Sequence, residues 1–254
     1  MAAILLTNDD GIHSAGITSL ARSLSHLGQV ITVAPDRERS ASSQALTLWR
    51  PIRYQEVGVD RYSVEGTPAD CVILALNHIL PRRPDLVISG INRGSNLGHD
   101  IAYSGTVAGA MEAARHGVQA AAVSLARRAD FDFEEAAQFT AHLAGQLLNK
   151  PLPAGFILNV NVPAGGWQGV RVTRQDTCLI DNLIVESRDP RGRKYIWLDQ
   201  ELEPRDLPAD GDSDYVAVRS GCVSITPLKL DQTALELSSE LKSWAEFLSP
   251  AACR

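Results

Sequence analysis

Residues 3–11 read Ala3-Ile4-Leu5-Leu6-Thr7-Asn8-Asp9-Asp10-Gly11, a short apolar run that ends on two adjacent carboxylates and a glycine. Such a run, bounded by turn residues, is the pattern of a strand buried on both faces. Val30–Ala34, Asp85–Ser89 and Ala120–Ser124 repeat it. Between the first two, Gly16–Leu27 carries Ile17, Leu20, Ala21, Leu24 and Leu27 at helical spacing, and Gly28 falls where a helix C-terminus is expected. The alternation predicts an α/β fold, a mostly parallel sheet with helices on both faces.

Further along, Thr67-Pro68-Ala69-Asp70 predicts a helix start, with Thr67 as N-cap, Pro68 at the first helical position and Asp70 capping near the positive dipole end. That helix runs through Val72, Leu76 and Ile79 to Pro81. Another runs from about Thr106 to Gly117 and a longer amphipathic one over Phe133–Leu148, before a strand at Phe156–Val162. Beyond about Pro163 the alternation is lost. Extended segments at Val170–Arg174, Leu179–Glu186 and Lys194–Leu198 are separated by polar turns, Asp206–Asp214 reads as an acidic loop, Val223–Thr226 as a strand and Gln232–Leu248 as a last helix. Residues 1–163 are therefore expected to form the core and 164–254 a β-rich arm, a returning strand and a terminal helix.

The chain has 254 residues, 44% of them hydrophobic and 21% charged, which suits one folded domain with an appendage. A formal net charge of −6 gives no long-range attraction for nucleic acid or an anionic membrane, so neither is an expected partner. No apolar stretch approaches the length of a membrane span, and the opening run is too short and lacks the basic leader of a signal peptide; the expectation is a cytoplasmic protein. Cys71, Cys178, Cys222 and Cys253 are scattered, without metal or redox spacing. There is no dinucleotide-binding Gly-x-Gly-x-x-Gly at the first strand-to-helix turn, no phosphate-binding Gly-x-x-x-x-Gly-Lys-[Ser/Thr] and no Gly-x-Ser-x-Gly elbow. The histidines form no zinc-spaced pair, and His13 is expected at the surface or behind the ligands.

Open α/β sheets bind ligands beyond the carboxyl ends of their strands, where the strand order reverses. Strand one runs into Asn8-Asp9-Asp10-Gly11, strand two into Pro35-Asp36-Arg37-Glu38-Arg39-Ser40 and the third into Ser89-Gly90-Ile91-Asn92. If strand one is central, all three segments meet in one crevice. Two carboxylates about 4 Å apart repel by about 1 to 4 kcal/mol at effective dielectric constants of about 80 to 20. A hard divalent cation turns that repulsion into binding, and the neutral oxygens of Ser40 and Asn92 complete a donor set of its type. Taken singly, the Asp pair also reads as a turn and helix cap, and Ser40 and Asn92 as loop or cap residues. A second constellation, the glycine-rich stretch 89–98 followed by Ser104-Gly105-Thr106 at a helix start, offers backbone amides and a positive dipole end to an anion; a capped glycine loop is its plainer reading.

These blocks together resemble the SurE survival-protein family of 5'-nucleotidases over nearly the whole chain. The likeness is carried by residues 4–11, 33–40, Gly66-Thr67-Pro68-Ala69-Asp70-Cys71-Val72, Ser89-Gly90-Ile91-Asn92, Tyr103-Ser104-Gly105-Thr106-Val107-Ala108-Gly109-Ala110-Met111-Glu112 and Val223-Ser224-Ile225-Thr226-Pro227-Leu228. The resemblance implies a Rossmann-like domain. It also implies one divalent cation per subunit, Mg²⁺ or Mn²⁺, on Asp9, Asp10, Ser40 and Asn92, with phosphate contacts at Asn96, Ser104, Gly105 and Thr106. Asp9 and Asp10 would be the catalytic pair. The implied reaction is hydrolysis of nucleoside 5'-monophosphates, with 3'-monophosphates and short polyphosphate as further substrates. The implied assembly is a homodimer or homotetramer with exchanged C-terminal segments. Cys222 stands where the family commonly has tyrosine, and the chain begins one residue earlier than is usual. A different class of function for the same crevice is nucleotide binding without turnover, in a regulatory protein; a simple phosphate loop, however, has little use for two carboxylates.

Overall fold

The computed structural model describes residues 1–126, 132–178, 182–200 and 211–248. Its centre is a run of parallel strands: β1 (Ala2–Thr7), β2 (Gly28–Pro35), β4 (Arg61–Val64), β5 (Leu86–Arg93), β6 (Ala120–Ala126) and β7 (Phe156–Pro163). With β3 (Tyr54–Gly58), β8 (Gly169–Val172) and β11 (Cys222–Lys229) they form a nine-stranded sheet in the order β3-β4-β2-β1-β5-β6-β7-β11-β8. β1 lies between β2 and β5, so the strand order reverses at its carboxyl end, as the sequence pattern requires. β3 and β11 run antiparallel to β4 and β7. A separate antiparallel pair, β9 (Asn182–Arg188) with β10 (Lys194–Gln200), makes the arm.

Side chains alternate across the central strands, and the two faces are covered separately. Ile4 and Leu6 of β1 join Ile17, Leu20 and Leu24 of α1 (Ala15–Leu24) and Ala137 and Ala144 of α4 (Glu134–Asn149). Leu5 points the other way, into a cluster with Val72 of α2 (Pro68–Leu74) and Val107 and Ala110 of α3 (Gly105–Arg115). β1, β5 and β6 contribute to both clusters, which is why these segments read as apolar runs without polar alternation.

Several boundaries differ from expectation for physical reasons. α1 ends at Leu24, not Leu27, and Gly28 opens β2 rather than capping the helix. A Cβ on Gly28 would lie 2.2 Å from the Ala2 carbonyl oxygen, so the glycine allows β2 to approach β1. The hairpin of β3 and β4 was not expected: β3 is exposed along its whole length and has no apolar face to betray it. Asp70 does cap α2, in a reciprocal box with Thr67, and α2 continues as a wider turn over Ala75–Ile79. The predicted last helix is a short 3₁₀ turn, Leu235–Leu237, followed by α6 (Ser238–Leu248). Of the predicted strand Leu179–Glu186, residues 179–181 lie outside the described residues, as do Cys253 and residues 206–210 of the acidic loop. The end of that loop is instead the start of α5 (Asp214–Arg219). Cys71 and Cys222 are buried free thiols, and burial pushes the Cys71 thiol well up.

Candidate metal and phosphate site

The turn after β1 is held from three sides. Asn8, fully buried, donates through Nδ2 to the Gly11 carbonyl at 3.0 Å and to Ser14 Oγ at 2.8 Å, and its Oδ1 accepts from Gly11 N at 3.2 Å. Arg39 N donates to the Asp9 carbonyl at 2.7 Å, and Ile12 N to the Pro35 carbonyl at 2.8 Å, which ties the loop after β2 to the turn. Gly11 has φ +98°, and a Cβ there would stand 3.1 Å from the Arg37 carbonyl carbon, so glycine is required twice over. A closed side-chain ring of this kind places two carboxylates at a fixed point above the sheet.

Asp9 is 5% exposed. Its Oδ1 accepts a short hydrogen bond from Thr106 Oγ1, across from the first turn of α3. Gly105 allows that approach, since a Cβ on it would lie 2.9 Å from Asp9 Cβ and 2.7 Å from Ser42 Oγ. Asp10 Oδ2 accepts from Arg93 N at 3.1 Å. Burial pushes the Asp9 carboxyl above the ordinary carboxylate range, against hydrogen bonds from Thr106. Burial, then the Asp9 charge beside it, raise Asp10 to about 6. Asp9 is buried and Asp10 half-buried, so both shifts come first from lost hydration.

A cleft of about 450 Å³ opens over this turn, and Asp9, Ser40, Asn92, Asn96 and Ser104 all line it. Asp10 lines an adjoining depression with Asp36, Arg37 and Glu38, and Arg93 borders both. His13 is exposed and lines that depression. Ser40 Oγ donates to Glu38 Oε1 at 2.7 Å, which spends its hydrogen and keeps its lone pairs. Asn92 Nδ2 donates to the Gly94 carbonyl at 2.9 Å, which leaves Oδ1 as the oxygen it could offer a cation. Among the described residues no group of three or more His, Cys, Asp or Glu is placed to hold a metal. The donor set here is instead two carboxylates with hydroxyl and amide oxygens, which fits a hard cation of the Mg²⁺ or Mn²⁺ type.

On the phosphate side, Ser104 is the N-cap of α3 and accepts from Val107 N at 3.0 Å. Its hydroxyl hydrogen and the Gly105 amide are what remain for an anion, at the positive end of an eleven-residue helix. Thr106 spends its hydroxyl on Asp9, so its side chain serves the carboxylate side of the site. Asn96 is clamped. Its N–H donates to Asn161 Oδ1 at 2.8 Å, its Nδ2 to Ser124 Oγ at 2.7 Å, and its carbonyl accepts from Nδ2 of both Asn159 and Asn161 at 2.9 and 3.0 Å.

Sequence reasoning missed these supporting residues. Asn159 and Asn161 are buried amides inside the otherwise apolar β7, and two asparagines on one face of a buried strand were the available signal. Asp214, expected in a loop, is fully buried and accepts from Gly98 N at 2.9 Å, Asp176 N at 3.0 Å and Tyr215 N at 2.9 Å. It fixes the turn that leads from Asn96 to Tyr103; no neighbouring residue type announced that role.

Residues 4–181 match the family model described as survival protein SurE. The chain belongs to the SurE family. A 5'-nucleotidase SurE of Anaeromyxobacter dehalogenans is 48% identical to it, over 95% of both chains, and one of Moorella thermoacetica is 46% identical over 97% of both. The crystal structure of a SurE protein from Aquifex aeolicus superposes with a TM-score of 0.85 at 40% identity, covering 95% of this chain and 99% of that one. The SurE fold read from the sequence as a mostly parallel α/β sheet is thus the fold found.

Proposed function

We propose that the chain is a divalent-metal-dependent 5'-nucleotidase, a phosphoric monoester hydrolase acting on nucleoside 5'-monophosphates and, at the same site, on 3'-monophosphates and short polyphosphate. The observation that carries this reading is the Asp9–Thr106 contact, which joins a buried carboxylate lining the cleft to the N-terminus of α3. The names of the relatives, 5'-nucleotidase SurE, support the same activity. Asp9, Asp10, Ser40 and Asn92 are the residues that would hold one Mg²⁺ or Mn²⁺ per subunit. Such a cation supplies Lewis-acid polarisation of the phosphoryl group and neutralises the carboxylate pair.

The chain's own residues do the rest. Asn96, the Ser104 hydroxyl and the Gly105 amide bind the phosphoryl oxygens and stabilise charge there as the group transfers in line, while Thr106 holds Asp9. Asp9 or Asp10 orients the attacking water and takes its proton; attack by one of these carboxylates instead would leave an aspartyl-phosphate. No helix among the described residues is long and apolar enough to cross a membrane. The arm and α6 expose Ile184, Trp197, Leu241 and Trp244, apolar area that supports a homodimer or homotetramer built on residues 164–254.

Phosphate release from AMP and GMP, measured with EDTA and then with Mg²⁺ or Mn²⁺ restored, tests the reading. Turnover is expected only with the cation. Release that ignores EDTA would remove the metal from the mechanism, and tight AMP binding with no release would make the protein a nucleotide-binding regulator. A burst of nucleoside ahead of phosphate in the same assay would move the attack from water to an aspartate.

A further inference from the structure

The floor of the cleft is small, polar and buried, whereas one of its walls is aromatic and open. Asp9, Asn96 and Ser104 are buried, yet Tyr103, one residue before the phosphate-binding turn, is 61% exposed and lines the same cleft. Its backbone is fixed on both sides: Tyr103 N donates to the Asp100 carbonyl and its own carbonyl accepts from Ser43 N, each at 3.0 Å. Among the described residues its hydroxyl makes no hydrogen bond and its ring meets no other ring. Leu198, 79% exposed, and Asn182, both from the base of the arm, also line the cleft. A volume of about 450 Å³ falls in the range of small-molecule sites, about 300–1,000 Å³, and is far more than an orthophosphate fills.

We infer that Tyr103 is the nucleobase platform, with the phosphate on the Asn96–Ser104 floor and the base stacked on the exposed Tyr103 ring. The inference rests on the nucleotidase reading and deepens it. Every base has a π-face, so stacking on a rigidly mounted ring gives affinity without strict choice of base, and a larger purine gains more than a pyrimidine. Leu198 and Asn182 close the outer end of the cleft, Leu198 with apolar area and Asn182 with an amide that can pair with a base edge or a ribose hydroxyl. Tyr103 is thereby a specificity-determining residue: it separates nucleotides from phosphate esters that carry no base, and it takes no part in the transfer itself.

The test compares AMP with ribose 5-phosphate on the full-length, metal-loaded enzyme. Tyr103→Ala is expected to lower kcat/KM for AMP about tenfold, chiefly through KM, the amount typical of losing one aromatic–base stack. Ribose 5-phosphate turnover should stay at the wild-type level, which also shows that the variant is folded. Tyr103→Phe should restore AMP. Equal losses on both esters, or a changed oligomeric state in Tyr103→Ala, would overturn the inference by placing the ring in the phosphate site or an interface; so would an unchanged AMP constant. Wild-type enzyme that releases no phosphate from any nucleotide would instead overturn the nucleotidase reading and this inference with it.

Discussion

The turn after β1 and the β9–β10 arm are built on opposite plans. Around Asp9 the side chains that set the geometry are buried and mutually bonded, Asn8 to Gly11 and Ser14, Thr106 to Asp9, Asn161 to Asn96. The arm is two strands without a third, and it exposes apolar residues on both, Leu183, Ile184 and Val185 against Ile196, Trp197 and Leu198. An isolated hairpin is at best marginally stable in water. The difference teaches where each kind of constraint resides. The candidate site is positioned by a closed network within the chain, while the arm leaves its apolar side chains open.

The sharpest way to break this contrast is to cut the network at its centre. Asp9→Ala is expected to lower cation-supported phosphate release by about three orders of magnitude, the scale of several kcal/mol of electrostatic stabilisation, with native circular dichroism. Activity near wild type would take Asp9 out of the site. A smaller effect is expected at the arm: Trp197→Asp should shift the proposed oligomer toward smaller species in light scattering while the thermal transition of the core remains. An unchanged mass would show that Trp197 is not in the interface.

The smallest effect comes from protons. The folded Asp10 carboxyl, raised to about 6, holds a proton that the unfolded chain, near 3.8, has already lost. Between those values the unfolded state binds fewer protons, so the stability of the cation-free protein falls as pH rises from about 4 to 6. Denaturant midpoints across that window should show the decline, saturating Mg²⁺ should flatten it, and Asp10→Asn should reduce it, with Asp9, also raised, supplying the rest. A cation-free profile that climbs over the same window would mean Asp10 is not under electrostatic stress.

The same division explains what could be read in advance. β1, β2, β5, β6 and β7 are legible because burial on both faces demands unbroken apolar runs, and the strand ends then locate Asp9, Ser40 and Asn92 without further information. Thr106 lies in the first turn of α3, where a helix start was expected, but nothing in Ser104-Gly105-Thr106 tells that its hydroxyl goes to a carboxylate ninety-seven positions away in the chain. β3 and α5 escaped because the first is exposed throughout and the second is only six residues long. Gly28 misled because a glycine after a helical pattern has two uses, ending a helix or admitting a neighbouring strand, and only the tertiary contact with Ala2 distinguishes them.

Gly105 shows how a residue without a side chain can look essential. Three stretches far apart in the chain, at Asp9, Ser42 and the start of α3, share the volume that its missing Cβ vacates. An exhaustive substitution scan would therefore score position 105 with Asp9 itself, and what it would be registering is clearance.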